Sequence, residues 1–203
     1  MQFTQADHDR ITVAIREAEA RTSGEIVCVL ARSSSDYSYV SIFWAALAAL
    51  ATPWPLIVFT QLSVQRIFLA QIAVFVALTL VFSIPALRIM LTPRNVRRAR
   101  AHRAAVEQFF TRGLSRTPER NGILIYVSLA EHYARIIADE GIDDKADQRD
   151  WQAAIDTLVA HAKDDRVAEG FVAAVGLCAD VLARHYPPKA GGGILPDRVY
   201  LVD

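Results

Sequence analysis

Two long apolar segments without a charged residue, 40–59 and 67–87, constrain this chain more than any other feature of its sequence. Each is close to the ~20 residues that a helix needs to cross the hydrocarbon core of a membrane. The stretch between them, 60–66, is short and polar, with Arg66 as its one charge, so it leaves room only for a tight turn. The pattern therefore predicts a transmembrane helical hairpin over residues 36–95.

A buried core helix of a soluble domain is the alternative interpretation of either segment. Such helices are usually shorter and carry a polar edge that recurs about every 3.6 residues, and neither segment has such an edge. Pro53 and Pro55 stand on either side of Trp54 and predict a kink in the last turns of the first helix. A cleavable signal peptide is not expected, because the first apolar segment begins near residue 40.

Basic residues flank the hairpin unequally and predict its orientation. The turn offers only Arg66, whereas a run of arginines follows the second segment: Arg88, Arg94, Arg97, Arg98, Arg100 and Arg103. Positive residues tend to stay on the cytoplasmic side of a span. The sequence therefore predicts an integral protein of the plasma (inner) membrane, with two spans and with both termini and the soluble domain in the cytoplasm.

The same arginines suggest a contact with lipid. Arg94, Arg97, Arg98, Arg100 and Arg103 lie in the first half of a predicted helix that begins near residue 96, directly after the hairpin. They can act as topology determinants alone, or they can also bind anionic lipid headgroups, at about 1 kcal/mol for each arginine near the surface. The two roles are compatible with each other.

Charge and cysteine content exclude other classes of protein. Across 203 residues, 22 Lys and Arg balance 22 Asp and Glu, so the net charge of zero argues against a nucleic-acid-binding protein. The two cysteines, Cys28 and Cys178, lie in apolar stretches without a CxxC spacing, and we expect both to be reduced core residues.

The remaining sequence predicts one small domain that is divided by the hairpin. A helix over 5–21, with Thr4 and Asp7 as a capping box, precedes a continuously apolar strand at 25–31. After the hairpin come a helix, two strands at 122–128 and 133–138 that form a β-hairpin, and two amphipathic helices that end near residue 185. The predicted fold is α/β, a small mixed sheet flanked by helices, with strands 25–31 and 122–128 in one sheet.

The predicted organisation has four parts. Residues 1–35 form the first part of the soluble domain and 36–95 form the transmembrane hairpin. Residues 96–186 complete the soluble domain, and 187–203 are a Pro/Gly linker and C-terminal tail.

Three pieces of sequence resemble a known family. The soluble part of the sequence resembles the TPM domain, a small α/β/α module of membrane-associated proteins. The resemblance lies in SGEIVCVLA after an N-terminal helix, then in RTPERNGILIYVSLAEHYARIIADEGI, and then in the two helices that follow. Here a transmembrane hairpin follows the first strand of the module, which departs from the usual arrangement of signal peptide and trailing anchor. The resemblance implies an α/β/α sandwich and either of two roles: a phosphatase or calcium-binding protein, or an assembly or accessory factor.

An acidic stretch from 139 to 147 is the candidate metal site. Asp139, Asp143 and Asp144 follow a predicted strand end, and clustered carboxylates suit Ca²⁺ or Mg²⁺ as the bound ion. A solvated acidic loop that places negative charge at the N-terminus of the next helix is the alternative interpretation. His132, in the turn beside Glu131, is a candidate acid or base if the acidic stretch folds back on it, and ordinary turn placement is the alternative.

The sequence favours binding over catalysis. Ser33, Ser34 and Ser35 lack the spacing of a nucleophile elbow, no P-loop is present, and no catalytic residue can be named. The expected function is a membrane-anchored binding, assembly or accessory factor for membrane proteins at the cytoplasmic face, with the membrane and other membrane proteins as partners. The alternative is a divalent-metal-dependent phosphatase, that is, a phosphoester hydrolase.

Overall fold

A computed structural model describes residues 3–35, 38–189 and 195–202. The chain separates into two compact units: residues 1–34 together with 100–203, and residues 35–99. The helices follow one another as α1 (Gln5–Glu19), α2 (Ser38–Ala51), α3 (Pro53–Phe59), α4 (Val64–Val81), α5 (Pro85–Leu91), α6 (Arg94–Thr111), α7 (Glu140–Asp143), α8 (Gln148–Lys163) and α9 (Val167–His185). The strands are β1 (Glu25–Ala31), β2 (Gly122–Ser128), β3 (Tyr133–Ala138) and β4 (Val199–Val202).

A four-stranded mixed sheet in the order β3-β2-β1-β4 is the centre of the first unit. Strands β1 and β2 are parallel, with Glu25 opposite Gly122 and Ala31 opposite Ser128. Strand β3 pairs antiparallel with β2, and β4 pairs parallel with the second half of β1. The predicted mixed sheet is confirmed, and so is the prediction that strands 25–31 and 122–128 share it.

Helices cover both faces of the sheet, which explains why β1 and β2 are apolar along their whole length. Alternate side chains of β1 enter two separate cores. Ile26 and Cys28 belong to the larger core, which α1, α8 and α9 complete with residues such as Phe171. Val27 and Val29 belong to a smaller core, to which α6 contributes Ala105 and Phe109. Every residue of β1 and β2 is buried as a result.

The first helix begins as its sequence predicts. The Thr4 hydroxyl accepts a hydrogen bond from the Asp7 N–H at 3.2 Å, and the Asp7 carboxylate accepts one from the Thr4 N–H at 3.0 Å. This is the reciprocal capping box, which satisfies N–H groups that the first turn of a helix leaves without partners. The apolar face of α1 then buries Ile11, Ile15 and Ala18 against the sheet.

The second unit contains two apolar helical segments, Tyr39–Phe59 of 21 residues and Val64–Val81 of 18 residues, that are long and apolar enough to cross a membrane. The first segment is divided at the place where the prolines predict a kink: α2 ends at Ala51 and α3 begins at Pro53. Between them, the Thr52 hydroxyl donates to the Ala48 carbonyl at 2.9 Å. None of the residues of α4 is buried. Large apolar side chains such as Phe59, which is 83% exposed, therefore face outward, as lipid-facing side chains would.

One strand is absent from the sequence-based prediction. Residues 187–203 were expected to form a linker and tail, and in the structure Val199–Val202 extends the sheet beside β1. Four residues are too few to show the alternation that identifies a strand, so the sequence carries no clear signal for β4. Of the expected Pro/Gly linker, residues 190–194 lie outside the described part of the chain.

Candidate functional site

The carboxyl ends of β1 and β2 lie side by side, and the loops that follow them are bonded to each other. The Leu129 N–H donates to the Ala31 carbonyl and the Ala130 N–H donates to the Arg32 carbonyl, both at 3.0 Å. The turn between β2 and β3 is thereby fixed against the loop that follows β1. In open α/β sheets, ligands bind outside the carboxyl ends of parallel strands, so the carboxyl ends of β1 and β2 are the candidate site.

A buried carboxylate, Glu131, organises this edge. Its Oε1 accepts hydrogen bonds from the Ser33 hydroxyl at 3.3 Å and from the Ser34 N–H at 3.0 Å, and its Oε2 accepts one from the Ser128 hydroxyl. The Ser34 hydroxyl is also hydrogen-bonded to the Tyr126 phenol at 2.9 Å. We call Ser33, Ser34, Tyr126, Ser128 and Glu131 the Glu131 cluster. Its hydrogen bonds stabilise a carboxylate that would be costly to bury without partners.

The electrostatics of the Glu131 cluster keep its phenol protonated. Burial raises the pKa of Tyr126, the hydrogen bond with Ser34 lowers it, and the nearby Glu131 carboxylate raises it. A neutral phenol can donate to, or accept from, the Ser34 hydroxyl. Ser128 and Glu131 are 1% and 6% exposed, so their hydroxyl–carboxylate pair is closed to a substrate. The arrangement therefore holds the two loops together.

His132 follows the cluster but does not join the acidic stretch. It has a left-handed backbone with φ of 49°, its side chain is exposed, and its N–H donates to the Leu129 carbonyl at 3.2 Å. Asp139 lies at the opposite ends of the strands, where its N–H donates a hydrogen bond to the carbonyl of Gly122, the first residue of β2. The condition for an acid–base role of His132, an acidic stretch folded back on it, is therefore not met.

The acidic stretch lies at the amino ends of β1 and β2, because β3 runs antiparallel to β2. Asp139 is the N-cap of α7: its Oδ1 accepts from the Glu140 N–H at 2.9 Å and lies 3.0 Å from Nη2 of Arg120. Asp139 is 4% exposed, and its Oδ2 is buried without a hydrogen-bond partner. Asp143 and Asp144 are exposed.

These three carboxylates do not form a ready metal site in the structure. The Arg120 guanidinium already neutralises Asp139, whereas Asp143 and Asp144 face solvent. Within residues 3–35, 38–189 and 195–202, no group of three or more His, Cys, Asp or Glu side chains is arranged to hold a metal ion. The orphaned Oδ2 of Asp139 is the one feature that fits a cation. The Ca²⁺ or Mg²⁺ site at Asp139, Asp143 and Asp144 stays a prediction.

A close backbone approach explains the glycine in this stretch. A Cβ atom on Gly141 would meet the Glu119 carbonyl oxygen at 2.5 Å and the Arg120 carbonyl oxygen at 2.6 Å, so a side chain there would displace the backbone. The Gly141 carbonyl accepts a hydrogen bond from the Tyr186 phenol at 2.7 Å. The acidic stretch is therefore fixed to the loop before β2 and to the end of α9.

The arginines expected at the membrane surface all lie on α6. Arg94, Arg98 and Arg103 are exposed, and Arg97 and Arg100 are half-buried. The same helix buries Ala101, which lies between Arg100 and Arg103, and further along it buries Ala105 and Phe109.

The Glu131 cluster is the arrangement that sequence reasoning missed. Ser33 and Ser34 were considered only as nucleophiles, and Glu131 only as the neighbour of His132. The available signal was the position of all three residues just beyond strands that were expected to pair in one sheet. About 97 residues separate Ser34 from Glu131, so only the parallel pairing of β1 and β2 brings them into contact.

The architecture and this loop arrangement define a class: a mixed α/β/α domain with two candidate membrane spans inserted after its first strand. Residues 86–181 match the model of the TPM domain, and the chain contains that domain. A solved structure with the same fold is the NMR structure of the BA42 protein from the psychrophilic bacteria Bizionia argentinensis sp. nov.. It aligns with a TM-score of 0.60 and 18% identity over 98% of this chain and 94% of the BA42 chain. No curated protein matches this sequence.

Loss of the Glu131 carboxylate should destabilise the protein through the hydrogen bonds that it accepts. Glu131→Ala leaves the Ser128 hydroxyl and the Ser34 N–H without their acceptor, which we expect to lower the free energy of unfolding by about 1–3 kcal/mol. Glu131→Gln keeps one carbonyl acceptor and should cost less. Urea unfolding in mild detergent, followed by circular dichroism, measures both, and Glu140→Ala at an exposed carboxylate is the control. Equal stability of Glu131→Ala and the control would contradict the assignment.

The predicted metal site is tested by ion titration. If Asp139, Asp143 and Asp144 bind Ca²⁺ or Mg²⁺, a hundredfold excess over the dissociation constant should stabilise the protein by about 2.7 kcal/mol. Asp143→Asn and Asp144→Asn should then weaken that gain, whereas at a solvated loop they shift stability by less than about 0.5 kcal/mol without dependence on the ion. Melting temperatures that millimolar Ca²⁺ and Mg²⁺ both leave unchanged would exclude the site.

Proposed function

We propose that this protein is a membrane-anchored binding module, an assembly or accessory factor for other membrane proteins at the cytoplasmic face of the plasma (inner) membrane. The observation that carries the proposal is the parallel pairing of β1 with β2, seven residues long, across two candidate membrane spans. The anchor interrupts the domain itself. The domain is therefore tied to the membrane surface on both sides of the hairpin.

The pairing of β1 and β2 restricts the topology. Two strands of one sheet form in one compartment, so the chain between them must cross the membrane an even number of times. The two apolar segments Tyr39–Phe59 and Val64–Val81 supply two crossings. The arginines after the second span favour the cytoplasm for the domain and for both termini.

Burial of the polar groups at the sheet edge supports binding over catalysis. Ser128 and Glu131 are both buried, and the hydrogen bonds of the cluster join the two loops to each other. A metal-dependent phosphatase is the alternative function, favoured by the unpartnered Oδ2 of Asp139. Phosphoester hydrolysis that requires Ca²⁺ or Mg²⁺ and is lost in Asp139→Asn would favour this alternative. Stabilisation by the ion without turnover would favour the binding module.

Topology is tested by reporters and by a matched pair of deletions. Reporters fused to the C-terminus should be active only in the cytoplasm, and reporters inserted within 60–66 should be active only outside it. Deletion of α4 leaves one crossing and should prevent β1 and β2 from pairing, which protease sensitivity of residues 100–189 detects. Replacement of 36–95 by a short Gly/Ser linker restores an even number of crossings and should restore resistance. A C-terminus outside the cytoplasm would contradict the proposal.

Contact between α6 and anionic lipid is tested in nanodiscs of two compositions. Arg98→Gln with Arg103→Gln should reduce the stabilisation that phosphatidylglycerol gives relative to phosphatidylcholine, by about 1 kcal/mol for each arginine. Arg116→Gln, which removes an exposed arginine beyond the end of α6, is the control. If the double variant and the control respond equally to lipid charge, the arginines act only as topology determinants.

A further inference from the structure

The end of α6 and strand β4 meet on the side of the sheet that faces the smaller core. Tyr200 of β4 lies opposite Val29 of β1, and its half-buried ring packs against that core. Gly113, just after α6, has a left-handed backbone with φ of 79°, and a Cβ atom on it would lie 3.9 Å from Cδ2 of Leu195. Two segments that are distant in sequence are therefore fixed next to each other.

Two guanidinium groups stack on the Tyr200 ring. The Cζ atom of Arg112 lies 3.8 Å from the ring centre, and the Cζ atom of Arg198 lies 4.7 Å from it. Arg112 is half-buried, and its Nε donates to Oε1 of Gln108 at 3.1 Å, which fixes the orientation of the group. Arg198 is exposed, and its backbone N–H donates to the Pro196 carbonyl at 2.9 Å. Two positive charges are thereby held beside one aromatic ring.

Neither of these guanidinium groups is paired with a carboxylate among residues 3–35, 38–189 and 195–202. Other arginines of the same unit are each paired with an Asp or Glu oxygen at 3.5 Å or less: Arg16, Arg21, Arg120, Arg166 and Arg184. The charges of Arg112 and Arg198 are therefore not balanced by the protein in the way that those of the paired arginines are.

Local interactions account for one of the two cations but not for both. Arg112 follows the last turn of α6, where the helix dipole favours a positive charge. Stacking on the ring adds about 0.5–1 kcal/mol for a cation at an exposed site. Arg198 stacks on a ring that already carries a cation, and the repulsion between the two like charges opposes this placement. An anion bound by both groups would remove that repulsion.

The chemistry of the two groups suits a phosphate. Stacking covers the face of a guanidinium group and leaves its N–H edge free, and this planar edge matches the oxygens of a phosphate or a carboxylate. Gln108 accepts from Nε of Arg112, so both Nη groups of that arginine remain as donors. A phosphate group carries about 1.5–2 negative charges at pH 7, whereas a carboxylate carries one. A phosphate therefore balances both arginines.

We propose that Arg112, Arg198 and Tyr200 form a binding site for a phosphate group at the end of α6. The two guanidinium groups donate hydrogen bonds to the phosphate oxygens, and the ring between α6 and β4 holds both arginines in place. A soluble phosphate and the headgroup of an anionic lipid share this chemistry. All three residues belong to the unit that contains the sheet, so the site does not depend on the proposed membrane topology.

Calorimetric titration of the full-length protein with inorganic phosphate tests the site, in dodecyl maltoside, a detergent without phosphate. Arg112→Gln and Arg198→Gln should each weaken phosphate binding by about tenfold or more, because each removes hydrogen bonds to a charged group. Arg198→Lys keeps the charge but loses the planar fork, so it should recover only part of the affinity. Arg116→Gln, at an exposed arginine that does not stack on the ring, is the control.

A second measurement identifies the source of the phosphate. Melting temperatures are compared in phosphatidylcholine nanodiscs with and without phosphatidic acid, whose headgroup is a phosphate monoester. If Arg112→Gln and Arg198→Gln weaken the binding of inorganic phosphate and keep the gain from phosphatidic acid, the ligand is a soluble phosphate. If they lose that gain and inorganic phosphate does not bind the unmodified protein, the ligand is a lipid headgroup.

Because Arg198 is exposed, Arg198→Gln should keep the melting temperature of the unmodified protein, and it decides the question if Arg112→Gln does not fold. Three results would overturn the site. The first is an unmodified protein that responds neither to inorganic phosphate nor to phosphatidic acid. The second is a response that both variants retain in full, and the third is a response that Arg116→Gln loses to the same extent as they do.

Discussion

The parallel pairing of β1 with β2 is the interaction on which the rest of this structure depends. Seven residues of each strand are in register, and all of them are buried, although 90 residues of chain, 32–121, lie between them. Closing such a long loop costs entropy, which the two cores on either face of the sheet offset by removing apolar side chains from water. Two candidate spans fit this point in the domain because an even number of crossings would return the chain to the same side of a membrane.

The two ends of strands β1 and β2 carry different polar groups, because β3 runs antiparallel and brings the acidic stretch to their amino ends. The carboxyl ends of β1 and β2 hold the Glu131 cluster, in which hydroxyl and amide donors surround one carboxylate. The amino ends hold the acidic stretch, which Arg120 and Tyr186 fix in place through Asp139 and Gly141. The groups at the carboxyl ends therefore stabilise the loop that leads towards the first candidate span, and those at the amino ends present exposed carboxylates to solvent.

Three carboxyl groups are buried in the described part of this small domain, and each is stabilised differently. Glu131 accepts hydrogen bonds from hydroxyl and amide donors. Asp139 is paired with an arginine. Glu25 accepts a hydrogen bond from the Leu195 N–H at 3.1 Å through its Oε2.

The sequence alone determined the features that depend on local pattern. Short windows of sequence are enough to show the apolar segments, the helix break at Pro53 and Pro55 and the capping box of α1. They also show the continuous apolarity of β1 and β2 and the TPM resemblance. Tertiary structure alone decided which residues of distant segments meet. Ser34 meets Glu131, and Glu25 meets Leu195, because strands pair in parallel across long connections. Periodicity shows which face of a strand is buried, but the partner of a buried polar group depends on register and strand direction, which a single sequence does not encode locally.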